Sequence, residues 1–292
     1  VTQAASYQNA SRHGASSTEG GRLSARNFKR LGAYIYDYSG IKMPQSKATM
    51  LEGRLRRRLR ATGIETLDAY CDFLFDGHGI EREAIHLIDA VTTNKTDFFR
   101  EPNHFDILRQ TILPGLKEQG VRRVRTWSAA CSTGAEPYTM AMVLEDYRQT
   151  CNGPDYSILA TDLSTQVLEV ATKGIYTEEM IRPVPADLRR RFVMTARDPA
   201  RGEVRIVPQL RSRVGCMRLN FMDDVYRVGE PMHVIFCRNV LIYFDKKTQM
   251  HVLNRLVDCL LPGGHLLIGH SESITGMNLP VRQLANTVFV KE

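Results

Sequence analysis

The feature that most restricts the fold is a change of hydrophobic period near residue 95 of this 292-residue chain. Before it, from Leu23 to about Thr93, apolar residues recur every three to four positions. In IEREAIHLIDAVTT, for example, Ile80, Ala84, Ile85, Leu87, Ile88 and Val91 share one helical face. The segments FKRLGAYIYDYSGI, GRLRRRLR and LDAYCDFLF read the same way, so residues 23–93 are expected to form a small all-helical domain. After it, strand-like and helical runs alternate: VRTWSAA, AEPYTMAMVLEDY, YSILATDL, TQVLEVATKGIY, HVIFCRNV, KTQMHVLNRLVDCLL, HLLIGHS and a last strand at TVFVKE. Pro262–Gly263–Gly264 is expected to stop the long helix. Strands separated by helices pair in parallel, which predicts an α/β doubly wound domain over residues 94–292. Residues about 178–216 break the alternation. There EVRIVPQLRSRVGCMRL carries short strand-like runs punctuated by Gly202, Pro208 and Gly215, behind an arginine-rich helix at ADLRRRF, which predicts an inserted antiparallel subdomain.

Residues 1–22 are rich in Ser, Ala and Gly and lack the apolar block of a signal peptide, so a disordered tail is expected. The longest apolar stretches, VIFC and VLIYF, are split by Arg238–Asn239, too short to span a bilayer. Six cysteines without a C-x-x-C pair argue against a disulfide framework and for a reducing compartment, by default the cytoplasm. The eight histidines show neither H-E-x-x-H nor a pairing with cysteine, so no metal is expected.

The net charge of +7 calls for an acidic partner. Arg54, Arg56, Arg57, Arg58 and Arg60 lie around Leu55 and Leu59, so a helix that buries the leucines would spread arginine over its other faces. A solvated face normally mixes its charges, so an electrostatic docking surface is the preferred reading. A nucleic-acid surface would interleave aromatic residues for base stacking, and GRLRRRLR has none.

In a doubly wound sheet, ligands bind beyond the carboxyl ends of the strands. The stretch TWSAACSTGAEPYTMA supplies the first such turn, with Ser128, Ala129, Ala130, Ser132 and Gly134 small enough for close backbone approach. It is not the G-x-G-x-x-G dinucleotide loop. Asp162 at the end of ILATD is placed either to bind two ribose hydroxyls or to cap the next helix. Glu136 before Pro137 fits a first helical turn, or faces a ligand bearing an amine or sulfonium. GHSES departs from a nucleophile elbow at its fifth position, which argues against a hydrolase. Trp127 reads as core.

The ordered set NKTDFFRE (Asn94–Glu101), WSAACSTGAEPY, ATDLS, FCRNVLIYFD (Phe236–Asp245) and PGGHLLIGHSES resembles the CheR-type chemoreceptor methyltransferases, from about Leu23 to the C-terminus. The resemblance implies S-adenosylmethionine as cofactor, S-adenosylhomocysteine as product, and methylation of glutamates on the cytoplasmic helices of chemoreceptors. It implies a Rossmann-like methyltransferase domain behind the helical one. Arg100 and Tyr243 would serve catalysis, with alternatives in an Arg100–Glu101 pair and a core aromatic. Asn94 and Thr96 would line the cofactor site, Glu136 and Asp162 would hold its amino-acid end and ribose, and Asn220 with Phe221 would meet the adenine unless Asn220 is only a turn residue. Arg238 and Asn239 would lie near the methyl group. The arginine helix would meet the acidic receptor helices, and the insert could take a receptor's C-terminal tail peptide as an added strand. A monomer without nucleic-acid binding or membrane insertion is expected. The competing classes are a nucleic-acid methyltransferase and a non-catalytic receptor adaptor.

Overall fold

In the computed structural model, which describes residues 21–198, 200 and 202–292, the two halves take the forms their periodicities predict. All but the last two residues of the expected N-terminal tail lie outside the described residues. The helical half comprises α1 (Ala25–Ser39), α2 (Ala48–Thr62), α3 (Leu67–Phe75) and α4 (Ile80–Val91). Ser24 caps α1 by accepting from the Asn27 amide, and Gly40, at φ 72°, ends it in the left-handed conformation that glycine adopts cheaply. Leu51, Leu55 and Leu59, one turn apart on α2, pack with Leu31, Ile35, Tyr70 and Leu87 in one core.

The outer faces do not follow the sequence pattern throughout. Ile85 is 43% exposed, while Glu83 and Asp89 of the same helix are buried. Each acid has a partner that outweighs its polarity. Arg58 donates to both oxygens of Glu83, at 2.8 and 3.0 Å, and Tyr70 donates a third bond at 2.9 Å. Asp89 accepts from the amide and hydroxyl of Thr165, which joins the helical domain to the sheet domain.

A connecting run follows: α5 (Asn103–Ile107), a π-turn (Leu108–Ile112) and α6 (Leu113–Glu118). Then come β1 (Arg123–Ala129), α7 (Ala135–Thr150), β2 (Asp155–Asp162), α8 (Thr165–Lys173), β3 (Ile175–Thr177), α9 (Glu178–Ile181), α10 (Ala186–Phe192), β4 (Val193–Thr195), β5 (Glu203–Ile206), α11 (Pro208–Arg211) and β6 (Val214–Arg218). The chain closes with β7 (Met232–Cys237), α12 (Lys246–Asp258), β8 (Leu260–Ile268), β9 (Val281–Ala285) and β10 (Val288–Lys291). The main sheet has the order β6-β2-β1-β7-β8-β10-β9. Its first five strands are parallel and β10 and β9 antiparallel. Every residue of β7 is buried, as a central parallel strand covered on both faces requires. The chain leaves β1 for β2 on one side and later returns as β7 on the other, so the order reverses beside β1.

Three boundaries differ from the sequence reading. The helix expected through Tyr176 ends at Lys173, because Gly174 at φ 61° turns the chain into β3. The small antiparallel sheet, β3-β5-β4, spans Ile175 to Ile206. Val214–Arg218, grouped by pattern with the insert up to residue 216, instead pairs with β2 as the edge of the main sheet. Finally, α12 ends at Asp258, and Pro262–Gly264 lies inside β8, next to the register shift between Met232 and Val234.

Candidate active site

A cleft of about 1130 Å³, counted to its open mouth, lies where the sheet order reverses. Its floor is made by the β1–α7 turn and the ends of β2 and β7, and its roof by the helical domain through Ser39, Ile41, Met43, Lys47 and Met50. Asn94, Thr96, Arg100, Glu136, Asp162, Asn220, Phe221, Arg238, Asn239 and Tyr243 all line it, so the fold brings the whole expected set to one place.

The turn after β1 is held open by left-handed backbone at Ala130, Ser132 and Gly134, φ 68°, 50° and 92°. At Gly134 a Cβ would also meet Ala171 at 2.8 Å, so glycine is required there on two counts. The turn's Ser132 amide donates to Asp162 Oδ2 at 2.8 Å, and the Ser164 amide, at the start of α8, donates to Oδ1 at 2.9 Å. Asp162 is not the cap of α8, whose N-cap is Ser164; it holds the backbone of two turns and lines the cleft. Burial pushes its pKa up, against the lowering effect of those amides.

Glu136 accepts from Ser128 Oγ at 2.7 Å and has Arg238 Nε 3.5 Å from its other oxygen. Burial raises its pKa, and Arg238 opposes the rise. Arg238 is the centre of the site. It is 5% exposed, its Nη2 donates to the carbonyl of Arg100, and the rings of Phe105 and Phe236 lie 5.3 and 5.6 Å from its guanidinium carbon. Its Nε is 3.5 Å from both Glu101 and Glu136, and neither Nε nor Nη1 has a hydrogen-bond partner.

The alternative Arg100–Glu101 pair is not what holds Glu101. Phe99 and Glu101 have φ of 53° and 55°, so left-handed backbone flanks Arg100 on both sides. Glu101 turns inward, accepting from Asn239 Nδ2 at 3.0 Å and from the His270 amide at 3.3 Å. Arg100 faces the cleft, its Nη1 on the Lys95 carbonyl at 3.3 Å. Tyr243 is half-buried against the core and also lines the cleft: it ends the short turn Leu241–Tyr243, with Lys47 Nζ 5.5 Å from its ring and its carbonyl accepting from the Lys42 amide.

Other expected residues are partly committed elsewhere. Asn220 donates to the Tyr38 carbonyl at 2.6 Å and accepts from the Met222 amide at 3.0 Å, the geometry of the turn residue that competed with the adenine contact. Phe221 packs against Phe244 and Tyr226. The carbonyl of Asn94 accepts from Ser132 Oγ, tying the domain junction to the turn.

The arginine helix is not a uniform surface. Arg54 and Arg58, one turn apart, face α4: Arg54 donates to the Val91 and Thr92 carbonyls and to Thr93 Oγ1, and Arg58 to Glu83. Arg56 is half-buried, and only Arg57 and Arg60 are exposed.

Sequence reasoning missed Glu101 and Glu272. Glu272, inside the GHSES set aside as a failed elbow, accepts from the amides of Asn239, Leu241 and Gly269 at 3.0, 2.7 and 2.6 Å. It thereby fixes Asn239 in left-handed backbone at φ 59°. The signal available was an acid amid small residues after a strand; two of its three partners lie about thirty residues away.

Asp162, which is buried, and Glu136, whose side chain is 13% exposed, with a guanidinium bearing unpartnered N–H groups and the apolar Leu219 and Phe221 beside them, suit a ligand carrying positive and negative charge at one end and an aromatic base at the other. The CheR methyltransferase SAM binding domain matches residues 94–290, and the CheR methyltransferase all-alpha domain matches residues 26–92. The chain belongs to the CheR methyltransferase family. Chemotaxis protein methyltransferases similar to it include one from Borreliella burgdorferi, 38% identical over 85% of this chain and 88% of that protein. Another is from Escherichia coli, 38% identical over 93% of each chain, and a third, numbered 2, from Pseudomonas aeruginosa, 36% identical over 90% and 92%. This CheR-family chain is therefore an S-adenosylmethionine-dependent methyltransferase. Among its described residues no helix is long and apolar enough to cross a membrane.

Proposed function

We propose that this CheR-family enzyme methylates glutamate side chains on the cytoplasmic helices of chemoreceptors, giving glutamyl methyl esters and S-adenosylhomocysteine. The observation that carries this reading is the presence of Arg100 and Tyr243 in the same cleft as Glu136 and Asp162, in a chain whose relatives are chemotaxis protein methyltransferases. When bound, S-adenosylmethionine supplies an electrophilic methyl group on a sulfonium.

The chain's own work is positional. A glutamate carboxylate, with an ordinary pKa of about 4.3, is already the nucleophile at neutral pH, so no general base is needed. Arg100 orients that carboxylate and limits the cost of stripping its water, which for an unpaired ion would be several kcal/mol. The Tyr243 hydroxyl supplies a hydrogen bond beside the reacting carbon. Glu136 and Asp162 hold the cofactor's amino-acid end and ribose, Asn94 and Thr96 close the site from the junction, and Phe221 meets the adenine. Arg238 and Asn239, both braced by acids, fix the shape of the reacting end.

Arg57 and Arg60 present the docking charge for acidic receptor helices, with Arg56 beside them. In the small sheet β3 and β4 are the outer strands, so either edge can accept a receptor tail as an added strand. The enzyme acts as a cytoplasmic monomer. A nucleic-acid methyltransferase would need stacking aromatics among these arginines, and an adaptor would not need a cleft with this charge arrangement. The test is transfer of labelled methyl groups from S-adenosylmethionine into receptor-containing membranes, released by mild base as an ester must be. Labelling of RNA, or cofactor binding without any transfer, would sink the proposal.

A further inference from the structure

Glu101, His104 and His270 are brought together by the fold although no sequence spacing links the third to the first two. One carboxylate oxygen and two ring nitrogens from them lie within 4.8 Å of one another. His104 is 1% exposed, and its Nε2 is engaged by Thr287 Oγ1 at 2.8 Å. Its Nδ1 therefore faces Glu101 Oε2, 3.5 Å away, and neither of those two atoms has a hydrogen-bond partner. That separation is too long for a hydrogen bond between them. It is close to the edge of about 3.4 Å in a tetrahedron whose ion–ligand bonds are about 2.1 Å. Glu101 is already fixed through its other oxygen by Asn239, so the arrangement does not depend on an ion to form. His270 is exposed, and its ring lies 4.9 Å from that of His104, which leaves a route from solvent.

We propose that Glu101, His104 and His270 form a binding site for a divalent cation of the zinc class. Two imidazoles and one carboxylate suit zinc or nickel and not magnesium or calcium, which favour all-oxygen sites. The surroundings bear the charge: Glu101 and Glu136 both lie 3.5 Å from Nε of one buried guanidinium, that of Arg238. An ion on Glu101 Oε2 would share that oxygen with Arg238, 3.5 Å away, and would repel it. Arg238 holds the Arg100 carbonyl and faces Glu136, so the ion acts against the cofactor, which is itself cationic at sulfur. Linkage makes this antagonism mutual. The site is inhibitory.

The experiment titrates the tag-free full chain, without cofactor, with Co(II) and then with Zn(II) as the displacing ion. One ion per chain is expected, with the visible absorption of tetrahedral nitrogen and oxygen ligation. His270→Ala, which removes an exposed imidazole, should weaken Zn(II) affinity by about tenfold or more. Saturating zinc should raise the S-adenosylmethionine dissociation constant about fivefold or more in the natural chain and leave it unchanged in His270→Ala. Unaltered affinity in His270→Ala, or the intense near-ultraviolet band of thiolate ligation, would overturn the site. Zinc bound without any change in cofactor affinity would overturn the antagonism. No receptor enters the titration, so its failure would leave the methyl-acceptor proposal standing.

Discussion

The floor and the roof of the cleft are built by different means. In the floor, charge is held by backbone: Asp162 by the Ser132 and Ser164 amides, and Glu272 by three more. Its one buried cation, Arg238, is clamped between two rings and two acids. The roof meets it through a few contacts, among them Tyr36 to Asp245 at 2.6 Å, Asn220 to the Tyr38 carbonyl, and Asp89 to Thr165. Inside the roof the buried acid is held by side chains alone, Glu83 by Arg58 and Tyr70. Groups fixed by backbone cannot relax when a ligand arrives, which is what preorganised electrostatics require. A wall tied by single side chains can be altered without dismantling the site.

The largest expected effects fall on the two arginines that separate these roles. Arg58→Ala leaves Glu83 buried without its counter-ion, held by Tyr70 alone, and should cost about 3–5 kcal/mol of unfolding free energy in denaturant titration. The same pair gives a pH dependence. Burial alone would raise the pKa of Glu83, but the bonds from Arg58 and Tyr70 outweigh it and hold it below the ordinary 4.5. The stability this contributes is complete above that value and is lost as pH falls through it, because the unfolded chain then takes up the proton first. Arg58→Ala should flatten that loss, and an unchanged acid limb would show that Glu83 is not the group titrating.

Next is Arg100→Ala, expected to keep the fold and cofactor-independent melting while lowering turnover about 10²–10³-fold, the scale for removing one preorganised charge stabiliser. Normal turnover would take Arg100 out of the site. Asp162→Asn should raise the cofactor dissociation constant by about tenfold or more, as charge-assisted bonds to the floor become neutral ones. An effect confined to stability would reduce Asp162 to a brace for the Ser132 and Ser164 amides. The smallest change is Tyr36→Phe, which removes one partly exposed tie of roof to floor and should cost about 0.5–1.5 kcal/mol. If it instead abolished cofactor binding, the contrast between the two walls would be wrong.

The pattern of the sequence foretold the two-part architecture because period is a local property: Leu51, Leu55 and Leu59 bury as spaced. Membership of the cleft was legible because turns after parallel strands cluster, which placed Glu136 and Asp162 before any contact was known, while Arg238 was placed by the family resemblance of FCRNVLIYFD. Pairing was not legible. Nothing local says that Arg54 and Arg58 turn inward while Arg57 stays out, or that Glu101 answers Arg238 across 137 positions. Edges were equally opaque: β6 reads like the strands of the insert because short edge strands carry little alternation, and only its register with β2 assigns it to the main sheet.

Trp127, the only tryptophan in the chain, is fully buried in β1 and donates its indole N–H to Thr161 Oγ1 at 2.9 Å. Thr161 lines the cleft beside Asp162. Excited to the red of the tyrosine band, the protein thus reports through one residue wired to the cofactor floor, so its emission can follow ligand binding and the melting of the sheet domain without any label. The helical roof, which has no tryptophan, stays dark in the same measurement.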